Sequence, residues 1–161
     1  VLLSSPGPIF YSHERIGWHG RPFRIYKFRS MRTDAEKAGP QLSSKDDPRM
    51  TPFGRWMRKI RLDEIPQFWN VLIGDMSIVG PRPERPHFVE QFKHKIPQYM
   101  LRHKVKAGLT GWAQVNGWRG NTPLEKRIEY DLYYIENWSV RLDLKIIWLT
   151  VLRGFFHKHA Y

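Results

Sequence analysis

The chain has 161 residues, which is enough for one compact domain and too few for two domains of ordinary size. It contains no cysteine, so a disulfide framework, a thiolate metal site and a cysteine nucleophile are excluded. Its 27 Lys and Arg residues against 15 Asp and Glu give a formal net charge of +12. Such a surface indicates an anionic partner: nucleic acid, phospholipid headgroups or phosphorylated small molecules.

The first predicted strands lie on either side of an early turn. Residues 1–8 begin with an apolar run and continue into Ser, Pro and Gly, and we interpret them as the end of a longer apolar segment. Residues 17–22 are rich in turn-forming types, and β-branched and aromatic residues flank them. This pattern predicts two paired strands, at residues 9–11 and 23–28.

The middle of the chain predicts a loop followed by two helices. Residues 33–52 are polar and contain several Gly, Pro and Asp residues, which is typical of a loop. Helical stretches are predicted over residues 54–62 and 66–73, because Pro66 lacks an N–H group and suits the first turn of a new helix. The acidic pair at residues 63–64 is therefore expected at a helix N-terminus.

The second half of the chain is divided by rigid and glycine-rich segments. Residues 80–83, Gly-Pro-Arg-Pro, predict a stiff turn, and residues 85–104 predict mostly helix with a break at Pro97. Glycines within residues 108–120 indicate a loop that closely approaches a ligand or another stretch of backbone. The remaining predicted helices cover residues 124–138 and 142–157.

The last predicted helix has a wide apolar and aromatic face. Two adjacent stripes at helical spacing form this face. The first contains Leu142, Ile146, Leu149, Leu152 and Phe156, and the second contains Leu144, Trp148, Val151 and Phe155. The helix is interpreted either as a core helix or as one lying in a membrane interface, and the pattern leaves both open.

The acidic pair Asp63-Glu64 is the leading candidate for chemistry. On most chains two adjacent carboxylates are solvated surface groups, and Lys59 is spaced to pair with Asp63 across one helical turn. Three features favour a site instead: a helix start, which favours an anion, apolar neighbours expected to be buried, and a preceding run of cations. That run, Arg55, Arg58, Lys59 and Arg61, is expected to lower the carboxylate pKa values and to attract phosphate.

The chemistry that suits such a pair is phosphoryl transfer. An ionised Asp63 is able to attack phosphorus and form an acyl-phosphate, which divides one difficult transfer into two easier steps. Glu64 is suited either to hold Mg²⁺ or to orient the nucleophile, since Mg²⁺ takes a few carboxylate oxygens together with phosphate oxygens of a substrate.

Several cations are candidates for phosphate binding. Arg82 lies between two prolines, so its turn would direct a guanidinium with bidentate geometry; the alternative is a structural turn with a solvated arginine. Lys27 and Arg29 alternate at a predicted strand end, which indicates either one side of a phosphate pocket or a polar strand face. Arg119 follows the glycine-rich segment, from which it would reach a diphosphate.

These segments together resemble the bacterial sugar transferase family, the monotopic polyprenyl-phosphate phosphoglycosyl transferases. The resemblance covers nearly the whole chain, and the order of its motifs is specific. The matching stretches are residues 25–31, 61–72, 74–83, 101–106 and 108–117.

The resemblance implies a ping-pong reaction with Mg²⁺ as cofactor. The family's Asp-Glu pair falls on Asp63 and Glu64, so Asp63 is expected to attack the β-phosphate of a UDP-sugar and release UMP. Undecaprenyl phosphate then takes the sugar-phosphate from the covalent intermediate. Asp63 and Glu64 are the implied metal ligands. The implied phosphate-binding residues are Lys27, Arg58, Arg82 and Arg119, the last matching only across an additional Trp118.

The Asn-Gly-Trp-Arg-Gly variant and the C-terminal sequence resemble the larger subgroup that initiates exopolysaccharide and capsule synthesis. That subgroup mostly transfers glucose-1-phosphate, and some members transfer galactose-1-phosphate. The resemblance implies a catalytic domain over residues 9–161, on the cytoplasmic face of the bacterial inner membrane. Residues 1–8 would be the end of a truncated re-entrant membrane segment.

The expected fold class is α/β (α+β): a small β-hairpin packed with several helices, including amphipathic helices at the membrane interface. The last two helices are expected to direct Trp138, Trp148 and Phe155 toward lipid. The expected partners are a UDP-sugar, undecaprenyl phosphate and membrane lipid, without nucleic acid; homo-oligomerisation is left open. The rival interpretations are a basic nucleic-acid binding module and a non-catalytic membrane scaffold.

Overall fold

A computed structural model describes residues 1, 5–35, 39, 47–120 and 122–156, with side chains described as far as residue 153. Two small sheets are surrounded by helices, which confirms the expected α/β fold class. The strands are β1 (Phe10–Ile16), β2 (Pro22–Phe28), β3 (Ser77–Val79) and β4 (Gly108–Thr110). The α-helices are α1 (Pro52–Lys59), α2 (Gln67–Leu72), α3 (Pro86–Lys95), α4 (Trp112–Val115), α5 (Leu124–Glu136) and α6 (Val140–Phe156). Short 3-10 turns cover Trp18–Gly20, Leu62–Glu64 and Tyr99–Lys104.

The predicted hairpin is present, but its first strand is longer than the sequence pattern indicated. β1 and β2 pair antiparallel from Phe10 opposite Phe28 to Ile16 opposite Pro22. The prediction ended the first strand at residue 11 because the next four residues are polar. Two of them, His13 and Arg15, are hydrogen-bonded to each other, and Arg15 also lies 3.5 Å from a carboxylate oxygen of Glu84, so polarity there does not mark a strand end.

A second, parallel sheet of two strands was not predicted. Ser77 in β3 is paired with Gly108 in β4, and this pairing brings the glycine-rich segment against the stiff turn that follows β3. A Cβ on Gly108 would lie 2.2 Å from the backbone N of Gly80, and one on Gly111 would lie 2.2 Å from its carbonyl oxygen. Of the two reasons proposed for these glycines, close approach to another backbone is therefore correct for Gly108 and Gly111.

The helix boundaries differ from the prediction mainly around the acidic pair. α1 begins at Pro52, where the Thr51 hydroxyl accepts a hydrogen bond from the N–H of Gly54 at 2.9 Å, and it ends at Lys59. α2 is a separate helix, as predicted, and the predicted break near Pro97 is confirmed because α3 ends at Lys95. Much of the predicted loop 33–52, and residue 157 of the last predicted helix, lie outside the described residues.

The hydrophobic core has two parts. One contains Val79, Val115, Tyr134 and the fully buried Ile146, so α6 is a core helix on one face. Its opposite face leaves Leu144 and Trp148 more than 60% exposed. Both interpretations of the last helix therefore describe part of it, although membrane contact stays a prediction. The second part of the core is formed by Val89, Tyr99 and Ile128.

Trp138, at the junction of α5 and α6, is exposed as expected, whereas the side chain of Phe155 lies outside the described residues. Within the part of the chain that the structure describes, no helix has the length and apolar character to cross a bilayer.

Candidate active site

The acidic pair lies in its own tight turn between α1 and α2. Arg61 adopts a left-handed backbone conformation, with φ 59°, which ends the direction of α1 and begins the 3-10 turn Leu62–Glu64. The N–H of Glu64 donates to the carbonyl of Arg61 at 3.1 Å, which closes the turn. The pair thus immediately precedes α2, as predicted, but lies outside the first turn of that helix.

Glu64 is held by two cations from distant parts of the chain. Its Oε1 accepts a hydrogen bond from Nζ of Lys27 at 2.9 Å and another from Nη2 of Arg82 at 2.6 Å. Burial by itself would raise the pKa of Glu64, but Arg82 and Lys27 outweigh it and hold the pKa well below its ordinary value. Glu64 is therefore an anchor, ionised at neutral pH, that orients the two cations.

The carboxylate of Asp63 has a different environment from that of Glu64. Its side chain is buried, with the residue 5% exposed, and among the described residues its carboxylate has neither a hydrogen bond nor an ion pair. Burial raises the pKa of Asp63, and Glu64 adds to this effect, while Lys27 and Arg58 oppose it. The expected lowering of both carboxylate pKa values is thus correct for Glu64 and wrong for Asp63, because desolvation outweighs the nearby cations.

Arg58 is positioned by a residue that sequence reasoning missed. Its Nε donates to the hydroxyl of Ser30 at 2.8 Å, and Ser30 is buried just beyond β2. Burial lowers the pKa of Arg58, and Asp63 is the first of the carboxylates that oppose this. A Cβ on Gly54 would lie 1.9 Å from the carbonyl of Ser30, so α1 contacts this segment at a glycine. Arg58, Asp63 and Ser30 therefore form one side of the site.

Four consecutive carbonyls in the segment that carries Arg82, those of residues 81–84, accept hydrogen bonds. The carbonyl of Pro81 accepts from the N–H of Gly108 at 2.9 Å, and that of Glu84 accepts from the N–H of Ile16 at 2.9 Å. The carbonyl of Pro83 accepts from Nη1 of Arg15 at 3.0 Å. These bonds confirm the predicted stiffness of the turn.

The remaining carbonyl, that of Arg82 itself, is held by a buried ion pair. Nη2 of Arg102 donates to it at 2.9 Å and to Oδ2 of Asp131 at 2.7 Å. Both side chains are almost fully buried, at 1% and 3% exposure. Arg102 falls within the matched stretch 101–106, but nothing in its sequence context linked it to Arg82. We identify it as a positioning residue for that arginine.

The other two predicted cations are not part of this cluster. Arg29 donates to the carbonyls of Ser5 at 2.6 Å and Pro6 at 2.9 Å, whereas Lys27 contacts Glu64. Arg119 lies in the turn between α4 and α5, and the contacts among Lys27, Glu64 and Arg82 do not include it.

The apolar residues that flank the acidic pair are exposed, which corrects the expectation that they are buried. Ile60 and Ile65 are 47% and 46% exposed, and Phe68 and Trp69 on α2 are 55% and 58% exposed. α2 is a short helix that packs on β2 through the buried Asn70, whose amide donates to the carbonyl of Arg24 at 2.7 Å. Its opposite face therefore remains uncovered beside the site.

The profile described as bacterial sugar transferase matches residues 1–157. The chain belongs to this family. It is 52% identical, over its full length, to the UDP-glucose:undecaprenyl-phosphate glucose-1-phosphate transferase of Escherichia coli, of which it spans 36%.

Two further relatives show the range of the family. The chain is 48% identical over 96% of its length to the UDP-N-acetylgalactosamine-undecaprenyl-phosphate N-acetylgalactosaminephosphotransferase of Aeromonas hydrophila, of which it spans 38%. It is 46% identical over 94% of its length to an uncharacterized sugar transferase of Bacillus subtilis, of which it spans 72%.

The carboxylate oxygens at the candidate site of this bacterial sugar transferase suit a metal ion that takes most of its ligands from the substrate and water. Across the described residues there is no group of three or more His, Asp or Glu side chains that could hold a metal ion. The site does offer the carboxylate of Asp63 and the second oxygen of Glu64, since both cation contacts of Glu64 use Oε1. Mg²⁺ commonly takes one or two carboxylates and completes its shell with water and phosphate oxygens, so the pair is a suitable partial site.

Proposed function

We propose that this chain is the catalytic part of a sugar-1-phosphate transferase that moves a hexose-1-phosphate, glucose-1-phosphate foremost, from a UDP-sugar to undecaprenyl phosphate. The observation that carries the proposal is the contrast within the acidic pair. Glu64 is neutralised by Lys27 and Arg82, whereas the buried Asp63 is left without a cation partner. A desolvated carboxylate surrounded by phosphate-binding cations is suited to nucleophilic attack on phosphorus.

In the proposed first step, a carboxylate oxygen of Asp63 forms a bond to the β-phosphorus of the UDP-sugar. The bond between that phosphorus and the bridging oxygen breaks, and UMP leaves with the bridging oxygen. In the second step, an oxygen of undecaprenyl phosphate forms a bond to the same phosphorus and the aspartyl bond breaks. Asp63 is regenerated as a carboxylate, and the product is a lipid diphosphate sugar.

The cations of the site have separate proposed roles. Lys27 and Arg82 are held by Glu64 at one edge of the pair, where they would bind the phosphate that carries the sugar. Arg58, oriented by Ser30, would bind on the opposite side of Asp63. Arg119 is proposed to bind the diphosphate. Its turn is tied to the Arg82 turn through Arg127, which donates to Gly120 at 2.7 Å and to Glu84 at 2.9 Å.

Magnesium is proposed as the cofactor, with Asp63 and Glu64 as the protein residues that would hold it. When bound, Mg²⁺ supplies positive charge that stabilises the transferring phosphate and the departing UMP. The residues of the chain then supply the nucleophile and the fixed cations, as described above.

The proposed location is the cytoplasmic face of the bacterial inner membrane, and the exposed apolar surface beside the site supports it. This surface, which we call the α1–α2 apolar surface, borders the catalytic pair, so a lipid-borne acceptor phosphate would arrive next to Asp63. Its members, each at least 39% exposed, are Phe53, Trp56, Ile60, Ile65, Phe68, Trp69, Leu72 and Ile73. The exposed face of α6 would extend the contact.

The donor sugar has two leading candidates. Several glucose-1-phosphate transferases are about as similar to this chain as the Aeromonas hydrophila protein named for N-acetylgalactosamine. Galactose-1-phosphate is a further alternative within the family. Release of UMP from a panel of UDP-glucose, UDP-galactose and UDP-N-acetylgalactosamine identifies the donor.

The central experiment is mass spectrometry of the purified protein after incubation with a UDP-sugar and Mg²⁺. We expect a phosphosugar adduct on the peptide that contains Asp63, and no adduct in Asp63→Asn. The exposed Asp34→Asn serves as the matched control and is expected to form the adduct. An adduct that persists in Asp63→Asn would exclude Asp63 as the nucleophile.

A nucleic-acid module would instead give salt-sensitive binding to oligonucleotides in a filter assay and no release of UMP.

A further inference from the structure

The turn of the β-hairpin carries an exposed indole that is fixed against a basic segment. Trp18 is 47% exposed, and its Nε1 donates to the carbonyl of Lys104 at 3.2 Å. The ammonium group of Lys106 lies 5.7 Å from the centroid of the same ring, within the range of a cation–π contact. The indole N–H is thus satisfied by the backbone of the exposed Lys104, and the ring is left at the surface beside the ammonium group of Lys106.

Lys106 also contacts the segment at the end of α2. A Cβ built on Gly74 would lie 3.6 Å from Nζ of Lys106, so the ammonium group lies directly against this glycine. Leu72 and Ile73, which precede it, are 78% and 50% exposed. Lys106 therefore connects the Trp18 ring with the most exposed end of the α1–α2 apolar surface.

The charge of this surface is not cancelled by its surroundings. In the described part of the chain no carboxylate lies within 4 Å of the ammonium group of Lys104 or Lys106. Asp75 follows the end of α2, and its Oδ2 is 3.4 Å from the amide nitrogen of Asn70. The adjacent hairpin turn adds the exposed cation Arg21.

We propose that Trp18, Lys104 and Lys106 form a headgroup patch that binds anionic phospholipid where the α1–α2 apolar surface enters the bilayer. An amphipathic indole beside lysines, continuous with apolar side chains, matches the chemistry of the membrane interface, where rings lie at headgroup depth and cations meet lipid phosphates. The proposal rests on the proposed membrane location and adds a preference for lipid charge. The continuity with exposed Leu72 and Ile73 favours a lipid headgroup over a free phosphate.

The test is flotation of the purified chain with two kinds of vesicle at low salt. One kind is phosphatidylcholine alone, and the other is equal parts phosphatidylcholine and phosphatidylglycerol. We expect tighter binding to the anionic vesicles. In the double variant Lys104→Gln with Lys106→Gln, the affinity for the anionic vesicles is expected to fall by about fivefold for each lysine removed. This is the contribution to affinity expected from each cation close to an anionic lipid surface. Binding to phosphatidylcholine alone should be unchanged.

The matched control is Lys93→Gln with Lys95→Gln on α3, which removes the same charge from another surface. Equal losses in the two double variants would overturn the proposal, because net charge alone would then explain the attraction. Equal binding of the wild type to both vesicles would overturn it as well. Leu72→Glu with Ile73→Glu tests the membrane surface separately from the headgroup patch. This double variant is expected to bind both kinds of vesicle more weakly. If it binds like the wild type, the proposed membrane surface is wrong, and the comparison of the two lysine variants still decides whether the patch exists.

Discussion

Nη2 of Arg82 donates a hydrogen bond of 2.6 Å to Oε1 of Glu64. The two residues are 18 positions apart and lie in different turns. Lys27 donates to the same oxygen at 2.9 Å. One carboxylate thus orients two cations, and the cluster keeps a surplus of positive charge. This relationship divides the acidic pair into an anchor, Glu64, and a residue without a cation partner, Asp63.

Asp63→Asn is expected to abolish the phosphosugar adduct and to stabilise the protein at neutral pH. Burial raises the pKa of Asp63 in the folded state, so the carboxyl favours folding below its ordinary pKa of 3.8, and that contribution is lost as the pH rises through the raised value. We expect Tm to rise by about 1–3 °C at neutral pH, because functional sites often trade stability for reactivity. The difference should narrow as the pH falls toward 3.8, as measured by calorimetry.

The same shift predicts the acid side of the pH–rate profile. The nucleophile must be ionised, so single-turnover adduct formation should fall as the pH decreases through a value above 3.8. A rate that stays constant down to that pH would contradict the raised pKa.

Glu64→Gln is expected to destabilise the fold by about 2 kcal/mol, because Lys27 and Arg82 would be left partly buried without a counter-charge. The pKa of Glu64 is depressed, so its contribution is present above the ordinary value of 4.5 and is lost as the pH falls through the folded value. Urea denaturation at neutral and acidic pH should therefore show the variant approaching the wild type in acid. Glu90→Gln, which removes an exposed helical pair, is the control and should leave the stability almost unchanged.

Arg102→Met is expected to lower the free energy of unfolding by about 3–5 kcal/mol, because Asp131 would remain as an uncompensated buried charge. Arg102→Met with Asp131→Leu should recover most of that stability. The carbonyl of Arg82 would still lack its donor, so KM for the UDP-sugar should remain raised in the double variant. Recovery of both stability and KM would show that Arg102 has only a structural role.

Gly80→Ala is expected to destabilise the protein by about 3 kcal/mol, since its Cβ would lie 2.4 Å from the carbonyl of Lys106 and the obstacle is backbone. Gly117→Ala is the control: a Cβ there meets nothing within 4 Å, and the substitution costs only about 1 kcal/mol for its φ of 88°. Thermal unfolding of the two variants measures the difference. A smaller loss at position 80 than at position 117 would contradict the close packing of β3 and β4.

Membrane contact is tested with single added charges. Leu72→Glu on α2 and Trp148→Glu on α6, at positions 78% and 63% exposed, are each expected to reduce liposome flotation several-fold, because a carboxylate replaces apolar area at the interface. Gln91→Glu, on exposed α3, should float like the wild type. If Trp148→Glu also floats normally, the exposed face of α6 does not contact lipid, and the contact is restricted to α2.

Local patterns predicted much of the secondary structure but missed its non-local parts. Pro66 and Pro97 mark boundaries that the structure contains, because a missing N–H and a fixed φ act within one turn of chain. The pairing of β3 with β4 was missed, since each strand has three residues and the partner is about 30 positions away. β1 was predicted too short because two of its polar residues have partners: Arg15 pairs with Glu84 from a distant segment, and His13 accepts a hydrogen bond from Arg15.

For the site, the sequence by itself determined the candidate residues: the Asp63-Glu64 pair, the stiff turn that carries Arg82, and the cations at positions 27 and 58. Residue chemistry and proline geometry are local properties, so they can be read along the chain. Only the tertiary structure decided which carboxylate is neutralised, that Arg29 binds the carbonyls of Ser5 and Pro6, and that the apolar neighbours of the pair are exposed. Those outcomes depend on burial and on ion pairs between segments far apart in sequence, and desolvation at Asp63 reversed the direction that the nearby arginines alone would have set.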